Sequence, residues 1–173
     1  LLPADGEIEG LVAGDSIEAV LDWDRRFAHM AMHTSLHLLC ASIDAGVTGG
    51  SIGAEKSRLD FDLEEASDKE ALEERLNALI AGEHDVFAST ITAEELDAQP
   101  ELVRTMSVAP PRDASGLIRV VRIGTDASPV DFQPCGGTHV TNTREIGRVR
   151  IGKVEKKGKQ NRRINIHWEP TAP

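Results

Sequence analysis

The chain alternates between two hydrophobic periods. "EIEGLVAGDSIEAVLDW", residues 7–23, has short β-like apolar runs split by Gly-Asp turn signals. From Asp24 to Ala45 the period lengthens: Phe27, Met30, Ala31, Leu38, Cys40 and Ala41 recur at helical spacing. "AGVTGG" supplies a stop, which predicts a helix over about 24–45. "TGGSIG" reads as a glycine-rich loop. "SRLDFDLE" alternates Leu59, Phe61 and Leu63 with polar partners, the pattern of a half-buried strand. Ser67 and Glu70 have capping-box spacing, and Leu72, Leu76, Leu79 and Ile80 follow, which predicts a helix over about 68–82.

"DVFASTIT" reads as a strand, and Thr92 with Glu95 predicts a second capping box opening a short helix. Pro110 and Pro111 keep "VAPPRDASG" out of helix. "GLIRVVRIG", residues 116–124, is expected to be a strand with Ile118, Val120 and Arg122 on one face. "TDASPVDFQPCGGTHVTNTREIG" then reads as a loop of about twenty residues, a length usual only in functional or disordered segments. Strands at about 147–156 and 162–168 follow, joined by "KKGKQN". The sum is an α+β domain with a mostly antiparallel sheet and two main helices packed on it. The chain opens without Met and in mid-pattern, so residues 1–22 are expected to be a remnant of an N-terminal β unit of a longer protein. Residues 23–173 are expected to form the main domain.

Composition narrows the picture. Four Phe, two Trp and no Tyr make the core aliphatic. Two cysteines, Cys40 and Cys135, are too few for a disulfide framework. No stretch is apolar enough to span a bilayer, and no signal region is present, so a soluble cytoplasmic protein is expected. Net charge is −10, which disfavours general polyanion binding. Residues 144–163 depart from this, with nine Lys and Arg against Glu145 and Glu155. Such segregation can make a local phosphate-binding stripe, or simply a solvated hairpin whose lysines protect its edges.

Four residues carry candidate chemistry. His33 and His37 are one helical turn apart on one face and can reach one metal ion. Six histidines in a chain of this length give about 0.2 such pairs by chance, so the pair alone is weak. Cys135 and His139 are also four apart, around Gly136 and Gly137, which permit a tight turn and can aim backbone N–H groups at an anion. Together the pairs offer N, N, S and N donors, a set that suits Zn²⁺. The zinc site would lie between a helix and a long loop. Four protein ligands normally close a structural site, whereas catalytic zinc keeps a position open. A structural site, a catalytic site with altered coordination, and a histidine acting as general base without metal all stay open on these residues. Cys40 is a competing donor, with core packing the preferred role; His29 is expected to face solvent, and His84 and His167 have no constellation. For Asp131 and Gln133, loop hydrogen bonding is preferred over orienting a ligand imidazole.

"HTSLHLL" with "PCGGTHVTNTREIG" resembles the editing domain of alanyl-tRNA synthetase and its free-standing relatives, the alanyl-tRNA editing proteins; a related domain occurs in threonyl-tRNA synthetase. The resemblance runs from "LDWDRRFAHMAMHTSLHLL" through "VTGGSIGAEKSRLDFD" to the final hairpin. It implies a metal and catalytic site at His33, His37, Cys135 and His139, with Zn²⁺ as cofactor. It implies hydrolysis of mischarged aminoacyl-tRNA, chiefly Ser-tRNA(Ala) and also Gly-tRNA(Ala), with tRNA as partner and neither DNA nor a membrane. Larger members carry an N-terminal β-barrel, and relatives often have Gln where this chain has Ser51. Thr34, Thr48, Ser51, Gly136 and Gly137 are the expected substrate-pocket residues. Arg148, Arg150, Lys153, Lys156, Lys157, Lys159, Arg162 and Arg163 are expected to hold the acceptor stem by its phosphates. The alternatives are editing of Ser-tRNA(Thr) and a non-catalytic RNA-binding module with structural zinc.

Overall fold

The computed structural model describes residues 10, 12–65, 68–106 and 109–169. The long helix α1 spans Trp23–Ser42. Asp22 caps its start by accepting from the Arg25 N–H at 3.0 Å. Its C-terminal half, Thr34 to Cys40, is buried on every side. The buried hydroxyls are satisfied within the helix: Thr34 donates to the Met30 carbonyl and Ser35 to that of Ala31. The open carbonyls at its end are met from afar, where Arg104 Nη2 donates to the carbonyls of Cys40 and Ile43 at 3.1 and 2.7 Å. The helix thus ends at Ser42, before the glycines that were expected to stop it.

Strand β1, Val47–Ser51, and strand β2, Lys56–Phe61, form an antiparallel pair. "TGGSIG" was expected to be a loop, yet most of it is β1. The reason is close packing: a Cβ on Gly50 would stand 2.8 Å from Leu59 Cδ2, so the glycine admits the neighbouring leucine. Helix α2 spans Lys69–Ala81 and buries Leu72, Leu76 and Ile80. Ser67, the expected cap, lies outside the described residues; Asp68 caps α2 by accepting from the Ala71 N–H at 2.8 Å. Strand β3 is Val86–Ile91, and helix α3 is Ala93–Asp97, opened by the expected Thr92/Glu95 capping box.

Strand β4, Ile118–Gly124, pairs with β3 and with strand β5, Pro129–Pro134. The expected twenty-residue loop therefore contains a strand, and also a 3₁₀ turn at Thr143–Ile146. Its alternation was masked because the inward positions Asp131 and Gln133 are polar. Strands β6, Arg148–Gly158, and β7, Asn161–Glu169, run on to a two-residue turn, longer than their apolar pattern shows. Arg122 stacks its guanidinium 5.5 Å from the Phe87 ring centre and pairs with Asp126.

The α+β class holds, with the antiparallel strands divided between two sheets ordered β1-β2-β7-β6 and β3-β4-β5. Helix α1 touches both, packing on α2, β2 and β5. The core is aliphatic apart from Phe61, with Met32, Leu38, Leu39, Leu76, Ile123, Ile151, Ile164 and Ile166 fully buried. Truncating such a Leu or Ile to Ala costs about 2–5 kcal/mol. Leu96, Leu102 and Ile118 form a small satellite cluster. Residues 12–22, where strands were expected, form none, and Val12, Ile17, Val20 and Leu21 are exposed; among the described residues no strand lies alongside to complete a ladder. Among the described residues no helix is long and apolar enough to cross a membrane.

Candidate metal centre

Helix α1 holds His33 and His37 one turn apart, with ring centres separated by 5.2 Å. Strand β5 delivers Cys135 just beyond its end. The Cys135 N–H donates to the Arg119 carbonyl at 3.1 Å. Arg119 Nη1 in turn donates to the carbonyls of Cys135 and Gly137, at 2.5 and 2.9 Å. The Cys-Gly-Gly turn is thus folded around one guanidinium.

Gly137 matters because of what it lacks. A Cβ there would stand 2.1 Å from His33 Cε1, inside the ring's own volume. Gly136 faces open space, so packing makes no such demand of it. The Gly137 N–H turns onto the Cys135 sulfur at 3.4 Å. The sulfur lies 3.5 Å from His33 Nε2 and 3.3 Å from His139 Nε2. One donor atom from each of His33, His37, Cys135 and His139 lies within 4.8 Å of the others, so the group could hold a metal ion.

Burial would favour the thiol form of Cys135, but the imidazoles around it outweigh burial and bring its pKa down to about 3. His37 shifts the opposite way. Burial resists its charge, yet the Asp131 carboxylate and the Cys135 sulfur raise it to about 9. His139 is pushed down to about 4, chiefly by burial, and is neutral at pH 7. The thiolate is already in the form a metal takes, and binding a metal would displace the second proton of His37.

Two residues behind the donors were assigned above to loop hydrogen bonding, and the structure gives them another place. Asp131 Oδ2 accepts from His37 Nδ1 at 2.7 Å, and Gln133 Nε2 donates to both Asp131 oxygens at 3.1 and 2.9 Å. All three side chains are buried. A legible signal existed: in a strand, positions 131, 133 and 135 share one face. Arg119 had no such signal, because its role depends on a backbone path 16 residues away.

A cavity of about 500 Å³ opens beside the cluster. His33, His37 and Cys135 line it with Leu36, Val47, Leu59, Ser51, Thr105 and Gln133. Of the expected pocket residues, Ser51 is on its wall. Thr34 sits beneath His139, with Oγ1 3.1 Å from Nδ1. Thr48 bonds to the Asp60 carbonyl and to Asn161 Nδ2; neither threonine lines the cavity. Cys40 belongs to the core and the cavity wall but not to the donor set, and burial raises its thiol to about 11. His29 is half-buried rather than solvent-facing, and it too lies outside the cluster, as do His84 and His167.

The hairpin's charges are mostly paired. Arg148 and Arg150 face Glu169, Lys153 and Lys157 face Glu155, and Arg163 holds Asp60 through two contacts of 2.8 Å. Arg162 is buried and donates to the carbonyls of Gly158 and Asn161, which removes it from the surface. Lys156 and Lys159 have no ion pair among the described residues.

The sequence family described as the threonyl and alanyl tRNA synthetase second additional domain matches residues 118–165. That span includes Cys135 and His139. An alanyl-tRNA editing protein of Methanosarcina acetivorans, AlaX-M, is 38% identical over 171 residues, covering 95% of this chain and 68% of that protein. The AlaX-M of Methanosarcina barkeri is 41% identical over 168 residues, covering 92% and 67%. The alanine–tRNA ligase of Pyrobaculum aerophilum is 38% identical over 154 residues, covering 83% of this chain and 17% of the ligase.

Proposed function

This chain belongs to the alanyl-tRNA editing protein family, and from that premise we propose that it hydrolyses the ester of mischarged tRNA(Ala) at a zinc site formed by His33, His37, Cys135 and His139. The substrates are Ser-tRNA(Ala) chiefly and Gly-tRNA(Ala) in addition. The reaction is a step of translation fidelity carried out in the cytoplasm. The observation that carries the reading is the convergence of four donors, three of which, His33, His37 and Cys135, line an open cavity of about 500 Å³.

The donor set supports zinc: three imidazoles and a thiolate are borderline-to-soft ligands, and their donor atoms lie within 4.8 Å of one another. His33, His37, Cys135 and His139 would hold the zinc, which would supply Lewis acidity to the hydrolysis. The chain's own residues do the rest. Leu36, Val47 and Leu59 keep bulk water from the acyl group. Ser51, Thr105 and Gln133 are the cavity side chains that can hydrogen-bond a seryl hydroxyl. Such a site rejects the analogue lacking the hydroxyl by about 10⁴-fold or more, because its polar groups are left unpaired. That direction of selectivity protects correctly charged Ala-tRNA. The exposed cations of the hairpin, Lys156 and Lys159 foremost, contact acceptor-stem phosphates without reading sequence.

The test is a single-turnover deacylation assay with Ser-tRNA(Ala), Ser-tRNA(Thr) and Ala-tRNA(Ala), with bound zinc quantified. Rapid loss of Ser-tRNA(Ala) alone is expected. Preference for Ser-tRNA(Thr) would reassign the tRNA, and bound zinc with no hydrolysis of any substrate would remove the enzymatic reading.

A further inference from the structure

A hydroxyl has one proton to donate. Thr34 gives its proton to the Met30 carbonyl, which can only accept, at 2.9 Å. The same oxygen lies 3.1 Å from His139 Nδ1 and 3.3 Å from the Val140 nitrogen, so it accepts from both. His139 therefore carries its proton on Nδ1. Its Nε2 lone pair faces the Cys135 sulfur at 3.3 Å. The sulfur and that lone pair can share either the thiol proton or a metal ion, so Nε2 is available as a donor.

His37 is held by a different device with the same outcome. Asp131 Oδ2 accepts from Gln133 Nε2 at 2.9 Å and from His37 Nδ1 at 2.7 Å. His37 keeps a proton on Nδ1 toward Asp131, and Nε2 is the nitrogen turned to the cluster. His33 differs. Its Nε2 approaches the sulfur at 3.5 Å, but its Nδ1 has no hydrogen-bond partner among the described residues, and its half-buried ring lines the cavity.

We propose that Thr34 and Asp131 are positioning residues that fix His139 and His37 as Nε2 donors, and that His33 is the exchangeable member of the set, whose place a ligand from the cavity can take. This deepens the metal reading above and rests on it. It also reconciles four protein donors with chemistry that needs an open position. The partner of a ligand imidazole orients it and raises its basicity, and losing that partner lowers metal affinity about 10- to 100-fold.

The experiment uses the full chain freed of metal, with Co²⁺ as the probe. Affinity is read by competition with a chromophoric chelator, and coordination by the visible and sulfur-to-cobalt charge-transfer bands. Circular dichroism checks that each variant is folded. Thr34→Val and Asp131→Asn are expected to weaken Co²⁺ binding about 10- to 100-fold, with Thr34→Ser restoring it. His33→Ala should cost less than Asp131→Asn, keep the charge-transfer band, and take up free imidazole with a spectral change. His37→Ala should cost more than His33→Ala. Equal losses for His33→Ala and His37→Ala, or wild-type affinity in Thr34→Val, would overturn the proposal. A separate arm needs no metal: nitrogen NMR of the wild-type protein should show the His139 proton on Nδ1, shifted toward Nε2 in Thr34→Val. A proton on Nε2 in the wild type rejects the role of Thr34. If the wild type binds no Co²⁺, the metal reading falls and the ranking of donors with it, while the His139 tautomer still decides on Thr34.

Discussion

In the donor cluster, side chains separated by 102 residues meet at one point, with their polar needs answered from behind by Thr34, Asp131 and Arg119. In the β6–β7 hairpin the basic residues are neighbours in sequence, and most are answered by carboxylates of the same sheet or of α2. The cluster keeps its donors directed at one shared point. The hairpin turns its charges largely onto itself. Spacing of ligand-type residues on one face therefore says more about function here than a count of charges does. A charge is easily neutralised by its surroundings, but an inward-facing set of lone pairs is not.

The comparison can be broken at its strongest point first. Cys135→Ala removes the only sulfur donor; loss of stoichiometric metal and a fall of at least about 10³-fold in single-turnover deacylation are expected. Persisting deacylation without metal would show that the cluster is not the reactive centre. Gly137→Ala places a methyl within the His33 ring's volume. Metal content and single-turnover rate should fall by about 10- to 100-fold with the circular dichroism unchanged; a normal rate would mean that the turn moves freely. Next, the paired substitution Lys156→Gln/Lys159→Gln should weaken tRNA binding several-fold and reduce the salt slope by about 2. Arg163→Gln should leave that slope alone and instead lower the thermal unfolding midpoint, because its partner is Asp60. If Arg163→Gln changes the slope and the lysines do not, the division between free and paired cations is wrong.

The smallest effect separates the two cysteines. Cys135 in the metal-free protein is depressed to about 3, so it is a thiolate across pH 5–8 and should be alkylated at pH 6. Cys40 is raised to about 11, so it stays protonated there and should be spared until the chain unfolds. By the same shift, the thiolate's contribution to stability is present above the ordinary thiol range and declines as pH falls toward 3. Equal labelling of both cysteines at pH 6 would contradict the electrostatic account of the cluster.

Much of this was legible in the chain. The period-3.6 run before "AGVTGG" gave α1, and alternation in "SRLDFDLE" gave β2. The two i, i+4 pairs named all four donors. Elements with polar or glycine positions where apolar ones are usual were misread: β1 because Gly49 and Gly50 hide a strand, β5 because Asp131 and Gln133 face inward. Local pattern reports burial only when the buried residue is apolar.

The sequence by itself determined the α+β class, the aliphatic core, and which side chains could form the cluster, because periodicity and residue type are local properties. Only the tertiary structure decided which nitrogen of each histidine faces inward, which cations remain free, and why Gly137 cannot carry a side chain. Those outcomes depend on partners such as the Met30 carbonyl for Thr34, Asp60 for Arg163 and the His33 ring for Gly137. Hydrogen bonds and ion pairs are settled by what arrives within about 3 Å in space, and spacing along the chain does not encode it.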